Sequence, residues 1–370
     1  MMQADLVISK SDLANIAWVE RDTAPLADGD VRLSIEAFAL TANNVTYAAF
    51  ADFAGYWNFF PTGDDAKGRV PFWGFAKVSE SNAEGINVGQ RVYGYLPAST
   101  DLVVTPSKLS PLNFTDAAAH RVPLPGFYNV YHFIENDGAY EAAFEDAQML
   151  VRPLYATGWL IDDCLMERET PPHHVIVSSA SAKTSLAYAS AAKKRGGLTL
   201  TGLTSAGNKA FTEATGLYDH TVTYDDMSAC VDAGPAVHVD IRGNPAMRGP
   251  LAEALGGQLT THLQVGATDW DAPRGADLPT QSSPQVANSG SIANEVFFAP
   301  GHAEVCAKRL GPKQMATALN TDMRAFYPVM TDLLSIQHVD ARAELVSAWQ
   351  DTLAGRISPD QGLIVKFKSV

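Results

Sequence analysis

The chain has 370 residues, 46% hydrophobic and 18% charged, and its 41 acidic against 27 basic side chains give a formal charge of −14. That length exceeds the usual single-core limit, so two domains are expected, and the composition excludes bulk disorder, collagen and coiled-coil arrays. The negative charge argues against nucleic acid as the main partner, because phosphate backbones need a basic face. Cys164, Cys230 and Cys306 lie far apart and make neither a CxxC pair nor a disulfide framework, which suits a reducing compartment. Met1–Lys10 lacks a signal-peptide core and no apolar run reaches the length of a membrane span. The expectation is a cytoplasmic globular protein.

The first third reads as β-rich. Val31–Phe38 alternates like a half-buried strand after the turn Ala27-Asp28-Gly29-Asp30. Trp73–Glu80, Gln90–Tyr95 and Asp101–Pro106 predict further short strands, and the Gly and Pro between them fit a small barrel or sandwich. Phe127–Ile134 and Glu145–Glu167 read as helices. Alternation follows: strands at His174–Ser178, Leu198–Leu203, Thr221–Tyr224, Ala236–Asp240 and Gln258–Gly266, with helices at Lys183–Lys194, Asn208–Thr215 and Pro245–Leu255. This β-α-β-α order predicts a parallel sheet covered by helices on both faces. Thr268–Ser291 is polar and rich in Gly, Pro and Ser, a lid-like loop or an insertion. Helices at Met315–Leu334 and Asp340–Leu353 and a strand at Gly362–Phe367 complete the reading.

This order of pieces resembles the medium-chain dehydrogenase/reductase superfamily. Leu26–Phe38 is similar to the family's opening strand, and Pro71–Val78 with Val88–Val92 to its next block, with Phe75 near the family's acidic residue and Gln90 in place of its Asp. Leu353-Ala354-Gly355 and Gly362–Val365 are similar to its closing segment. A closer resemblance is to an uncharacterised branch, carried by Asn43–Tyr47, Tyr56–Pro61, Ser178–Thr184, Gly202–Ser205 and Phe297–Pro300. The resemblance implies an α/β chain. A GroES-like β-rich catalytic domain would span 1–135 and 336–370, and an inserted Rossmann domain 136–335.

The turn after the first parallel strand is the candidate phosphate loop. Ser179, Ala180, Ser181, Ala182, Lys183 and Thr184 are mostly small, and small residues let backbone approach a pyrophosphate at a helix N-terminus. Aligned on the family's glycine motif, Ala182, Lys183 and Ser185 occupy the glycine positions. A P-loop is excluded, since it would need glycine at Val177 and Ala182. Lys183 either meets phosphate or points to water. NAD selection normally uses an acidic residue at the end of the second strand. Here Thr204, Ser205, Asn208 and Lys209 stand there, and no Asp or Glu occurs until Glu213. Hydroxyls and a lysine suit a 2′-phosphate, so NADP is the expected cofactor. The resemblance adds Tyr224, which many NADP-using relatives place beside that phosphate. The other reading is that Ser205 and Asn208 cap the helix and that Tyr224 is a strand-end aromatic. Gly266 ends the fifth strand, with Asp269 and Arg274 just beyond, either near a ligand or in a surface ion pair.

No metal is expected. The family's zinc-site Cys, its Gly-His-Glu and its four-cysteine lobe have no counterpart, and Trp73-Gly74-Phe75 stands at the second of these. No GxSxG elbow is present either. The resemblance is to the zinc-free, quinone-oxidoreductase-like side of the superfamily. Reduction without metal needs a donor to the developing oxyanion. Asn43–Tyr47 matches the family segment lining the nicotinamide pocket, which makes Tyr47 and Asn44 the first catalytic candidates, followed by Tyr56 and Asn129. Tyr56–Phe60 equally reads as an aromatic wall, suited to a flat apolar substrate. Phe298, in a segment where relatives cover the nicotinamide, joins the cofactor set. The expected function is a zinc-independent NADP oxidoreductase acting on a carbonyl or activated C=C of a small molecule, with a homodimer as the candidate assembly. A lyase, isomerase or retro-aldolase on the same scaffold, or a nucleotide sensor without turnover, remain the alternatives.

Overall fold

The computed structural model describes residues 3–230, 234–266 and 292–368. The chain forms two compact units, one of 1–150 with 334–370 and a second of 151–333. Asp269, Arg274 and the whole of Thr268–Ser291 lie outside the described residues.

The first unit begins with β1 (Gln3–Ser9) and β2 (Asp12–Arg21), an antiparallel pair the sequence did not announce. β3 (Val31–Leu40) buries Val31, Leu33 and Ile35 on one face, as its alternation requires. Next come α1 (Ala42–Ala49), α2 (Ala51–Ala54), β4 (Lys67–Gly68), β5 (Pro71–Ser81), β6 (Arg91–Pro97), β7 (Asp101–Val104), β8 (Pro106–Ser107), β9 (Asn113–Asp116) and β10 (Val130–Phe133). β6 and the first six residues of β5 are almost wholly buried, and the two strands pair so that Trp73 stands opposite Tyr95.

Phe127–Ile134 is not the expected helix. Gly126–Asn129 is a single 3-10 turn, followed by β10 between β6 and β9. Tyr131 and Phe133 alternate inward. The Tyr131 ring stacks on Phe114 at 5.3 Å, and its hydroxyl donates to the Tyr95 carbonyl at 2.8 Å. That burial outweighs local helix preference. Gly94 makes room for this ring, because any Cβ there would collide with it.

Helix α3 (Glu145–Met166) carries the chain into the second unit. There β11 (His174–Ser178), α4 (Lys183–Arg195), β12 (Thr199–Thr204), α5 (Lys209–Ala214), β13 (His220–Thr223), β14 (Ala236–Asp240), α6 (Arg248–Leu255), β15 (Leu259–Gln264) and β16 (Ala293–Val296) build a six-stranded parallel sheet among the described residues. Its order is β13-β12-β11-β14-β15-β16, and the strand order reverses between β11 and β14. This is the Rossmann arrangement, whose ligands lie beyond the carboxyl ends at that reversal. Helices α7 (Ala299–Leu310) and α8 (Pro312–Leu333) follow; α7, opened by Pro300 in its first turn, was not anticipated.

The chain returns to the first unit with β17 (Ser335–Asp340), α9 (Leu345–Leu353) and β18 (Gln361–Lys366). The expected helix from Asp340 starts only at Leu345, because the Asp340 carboxylate accepts from the Arg342 and Ala343 amides, each at 3.0 Å, and so forms a turn. β18 pairs antiparallel with β3, Val365 opposite Phe38. Among the described residues no helix is long and apolar enough to cross a membrane.

Candidate active site

Two groups of residues carry chemistry, one in each unit. In the second unit they gather at the carboxyl ends of β11, β13 and β14. Ser179 leaves β11 with φ of 51°, the left-handed region that non-glycine residues seldom occupy. Its backbone N–H donates to the Tyr224 hydroxyl at 2.9 Å, which pins the turn. The Arg242 guanidinium lies 4.1 Å from the centre of the Tyr224 ring, and the Arg242 amide donates to Ser178 Oγ at 3.1 Å. Ser178 Oγ in turn donates to the buried Asp240 carboxylate at 3.1 Å, which also accepts from the Gly243 amide at 2.8 Å. Arg248 reaches Asp240 at 3.5 Å and the Gln264 amide oxygen at 2.7 Å. The strand ends on both sides of the reversal are thus cross-braced.

The turn has no glycine, yet it approaches the sheet closely. Ala180 is fully buried, its amide donates to the Leu203 carbonyl at 3.1 Å, and a Cβ added at Gly202 would lie 2.9 Å from its own. The close approach that the fingerprint obtains from its own glycines comes here from Gly202 on the neighbouring strand. Ala182 is the N-cap of the thirteen-residue α4, with no capping side chain, and Lys183 and Thr184 form its first turn. An uncapped helix start of this kind suits an anion, and Lys183 and Arg242 are the basic residues nearest it in sequence and at the neighbouring strand end.

At the end of β12, Thr204 is buried and Ser205 exposed. Neither Ser205 nor Asn208 caps the following turn through its side chain, which corrects the capping reading. The Asn208 amide instead donates to Ser181 Oγ at 3.1 Å and ties that turn to the one after β11. Lys209 is half exposed and pairs with Glu213 at 3.8 Å. Gly266 sits over the end of β14, where a Cβ would come within 2.7 Å of the Ile241 carbonyl. Phe298 is 39% exposed at the N-cap of α7, whereas Phe297 is buried.

In the first unit, Tyr47, Tyr56, Phe59, Trp73, Tyr95 and Tyr128 form one aromatic cluster. Tyr47 lies 4.6 Å from Tyr56 and 5.8 Å from Tyr95, and Tyr95 is 4.9 Å from Trp73 and 4.8 Å from Tyr128, centre to centre. Burial pushes the Tyr47 and Tyr56 phenols above their ordinary value, and the Tyr95 and Tyr128 phenols well above it. All four therefore stay protonated donors at neutral pH. The Trp73 indole, the Asn43 side-chain amide and the Tyr95 phenol face the Tyr47 hydroxyl, whose oxygen can accept from them.

Asn44 and Asn129 are buried and engaged. Asn44 Oδ1 accepts from the Thr41 amide at 2.7 Å, and its Nδ2 donates to the Pro71 carbonyl at 2.9 Å, so it seats α1 against β5. Asn129 exchanges two 2.8 Å hydrogen bonds with Arg121, whose guanidinium packs on Phe59 and Phe60 at 5.2 and 5.0 Å. Both asparagines position the cluster. Sequence reasoning missed Arg242, Trp73 and Tyr95 as site residues. Arg242 had a signal, its place two residues past a buried strand end; the other two read as ordinary strand aromatics. Among the described residues no three His, Cys, Asp or Glu side chains gather into a metal-binding group.

The fold, a β-rich unit with a Rossmann unit, is the one expected from the resemblance to the medium-chain dehydrogenase/reductase superfamily. It is shared with CurA from Vibrio vulnificus, solved in complex with NADPH, at a TM-score of 0.63 and 12% identity over 99% of this chain and 100% of that one. A putative NADPH:quinone reductase from Bacillus thuringiensis matches at 0.58 and 12%, over 99% of both chains. The yhdH oxidoreductase from Salmonella enterica, in complex with NADP, matches at 0.55 and 13%, over 99% of this chain and 100% of that one. A family model described as Protein of unknown function (DUF2855) matches residues 38–358, and the chain belongs to that family. No curated protein matches the chain.

Proposed function

We propose that this chain is an NADP-dependent, zinc-independent oxidoreductase that reduces a carbonyl or activated C=C of a small, apolar molecule. The observation that carries the proposal is the seat at the carboxyl ends of the parallel strands: Ser179 held by Tyr224, and Arg242 stacked on Tyr224, beside a β12 end that has no carboxylate before Glu213. The residues present fit NADP. The small turn and the uncapped start of α4 suit the diphosphate. Thr204, Ser205, Lys209, Tyr224 and Arg242 suit a 2′-phosphate and offer no repulsion to it. The fold relatives named above, solved with NADPH or NADP, support the same cofactor.

NADPH, when bound, supplies the hydride. Tyr47 holds a proton on its hydroxyl and donates it, or a hydrogen bond, to the substrate oxygen on which negative charge develops. Tyr56 and Phe59 exclude water around it, and Asn44 and Asn129 hold the cluster in place. Zinc independence rests on residue type, because Tyr47, Trp73 and Tyr95 are not zinc ligands.

Calorimetry with NADPH and NADH, followed by NADPH oxidation against a panel of ketones, enones and quinones with and without a chelator, tests this reading. Tighter binding of NADPH and chelator-resistant oxidation are expected. Equal affinity, preference for NADH, or about one zinc per chain by elemental analysis would overturn it. Binding without oxidation of any acceptor would move the protein to the non-redox or sensor alternatives.

A further inference from the structure

The turn after β11 has no glycine, and two tyrosines hold it from outside. The Tyr224 hydroxyl accepts from the Ser179 amide at 2.9 Å. Tyr218, between α5 and β13, donates from its hydroxyl to the Ala180 carbonyl at 2.9 Å. Its ring packs on Gly202 of β12, where an added Cβ would lie 2.9 Å from the ring's Cγ. The side chain therefore runs along β12, from the amino end of β13 up to the turn. The backbone around that carbonyl is held as well. The Ala180 amide donates to the Leu203 carbonyl at 3.1 Å, and the Ala182 amide to the Ser179 carbonyl at 2.7 Å. Burial pushes the Tyr218 phenol well above its ordinary value, so at neutral pH it keeps the proton it donates.

We infer that Tyr218 is a positioning residue for the phosphate of a bound nucleotide: it fixes the Ala180–Ser181 peptide so that the Ser181 N–H faces the carboxyl ends of the strands. A trans peptide sets its C=O and N–H in opposite directions, and no peptide among the described residues is cis. With the carbonyl drawn back to Tyr218, the N–H is aimed the other way, to the side on which a sheet of this order takes its ligands. Glycine in a phosphate-binding turn gives close approach and leaves the backbone free. Here Gly202 gives the approach and the Tyr218 hydroxyl gives the orientation. This deepens the NADP reading by naming a residue outside the turn that sets its hold on phosphate, and rests on that reading for the identity of the nucleotide alone. Phenylalanine at 218 would pack on Gly202 equally well, and the peptide would lose the bond that orients it.

The test titrates the full chain by calorimetry with ADP, adenosine, NADPH and NADH, and follows the Ser181 amide proton by NMR. In the wild-type chain ADP should bind about tenfold or more tightly than adenosine. The Ser181 proton should move downfield as ADP or NADPH saturates the chain. Tyr218→Phe should weaken ADP and NADPH by about three- to tenfold, the range of one lost hydrogen bond, leave adenosine unchanged and shrink the downfield movement. A role in packing alone would weaken adenosine as much as ADP, or change neither, and either result would overturn the assignment. So would a Ser181 proton that stays in place in the wild-type chain under both ADP and NADPH, a measurement that needs no variant to fold. If ADP behaves as expected but NADPH binds no better than NADH and no acceptor oxidises it, Tyr218 keeps its role and the oxidoreductase reading falls. If NADPH binds in preference to NADH and Tyr218→Phe holds ADP and NADPH as the wild type does, the reverse holds.

Discussion

In the first unit the groups that would meet a ligand are phenols and an indole, uncharged and brought together from α1, β5, β6 and a 3-10 turn. In the second they are a serine in a left-handed turn, a tyrosine hydroxyl, a stacked guanidinium and a bare helix end. The first region is dry and its donors are strengthened by low dielectric. The second uses charge and backbone N–H groups, which remain effective while partly wet. One fold therefore carries two contrasting polar environments, one neutral and one charged, and on the proposed function each can be damaged without the other.

The largest expected effect falls on the neutral side. Tyr47→Phe should lower turnover by about a hundred- to a thousandfold, the usual cost of one lost oxyanion donor, while NADPH affinity stays constant. Full turnover in that variant would reduce Tyr47 to a wall residue. On the charged side, Arg242→Ala should weaken NADPH by about ten- to a hundredfold, since one charge-assisted contact is worth about 1.5–3 kcal/mol. Turnover of that variant at saturating NADPH should not change. Loss of NADPH affinity and of turnover together would break the distinction between the two regions.

A third test reads the charged unit through its stability. His238 and His262 are buried on adjacent strands with their Nδ1 atoms 2.9 Å apart. Burial, then the His238 charge, lowers His262 from 6.5 to about 4, and burial lowers His238 as well. Below pH 6.5 the unfolded chain takes up protons that the native pair refuses, so stability present above pH 6.5 is lost as pH falls towards 4. The slope should reach about 1.4 kcal/mol per pH unit for each histidine. Urea unfolding at pH 7, 6 and 5 should show it, and His262→Asn should flatten it; equal slopes in both proteins would refute it. The smallest effect is expected from Lys209→Ala. Its side chain is half exposed and already paired with Glu213, so NADPH should weaken by less than about fivefold, as measured by calorimetry.

Much of the charged region was legible because it is local in sequence. The strand–turn–helix at Ser178–Lys183, the missing acidic residue after Thr204 and the tyrosine at 224 each lie within one short segment. The neutral region was legible only as composition, since Tyr56–Phe60 advertised aromatics but not their partners. The helix expected at Phe127–Ile134 failed for the same reason: Tyr131 is placed by Phe114 and by space over Gly94, contacts no local window contains.

The sequence by itself determined the β-rich flanks and the alternating α/β middle, because hydrophobic period is written in neighbouring residues. Only the tertiary structure decided that Arg242 stacks on Tyr224 and that Trp73 and Tyr95 turn their donors towards Tyr47. Those meetings depend on β-register and on strand order across the sheet. Hydrophobic pattern specifies which face is buried, not which distant side chain it will find there.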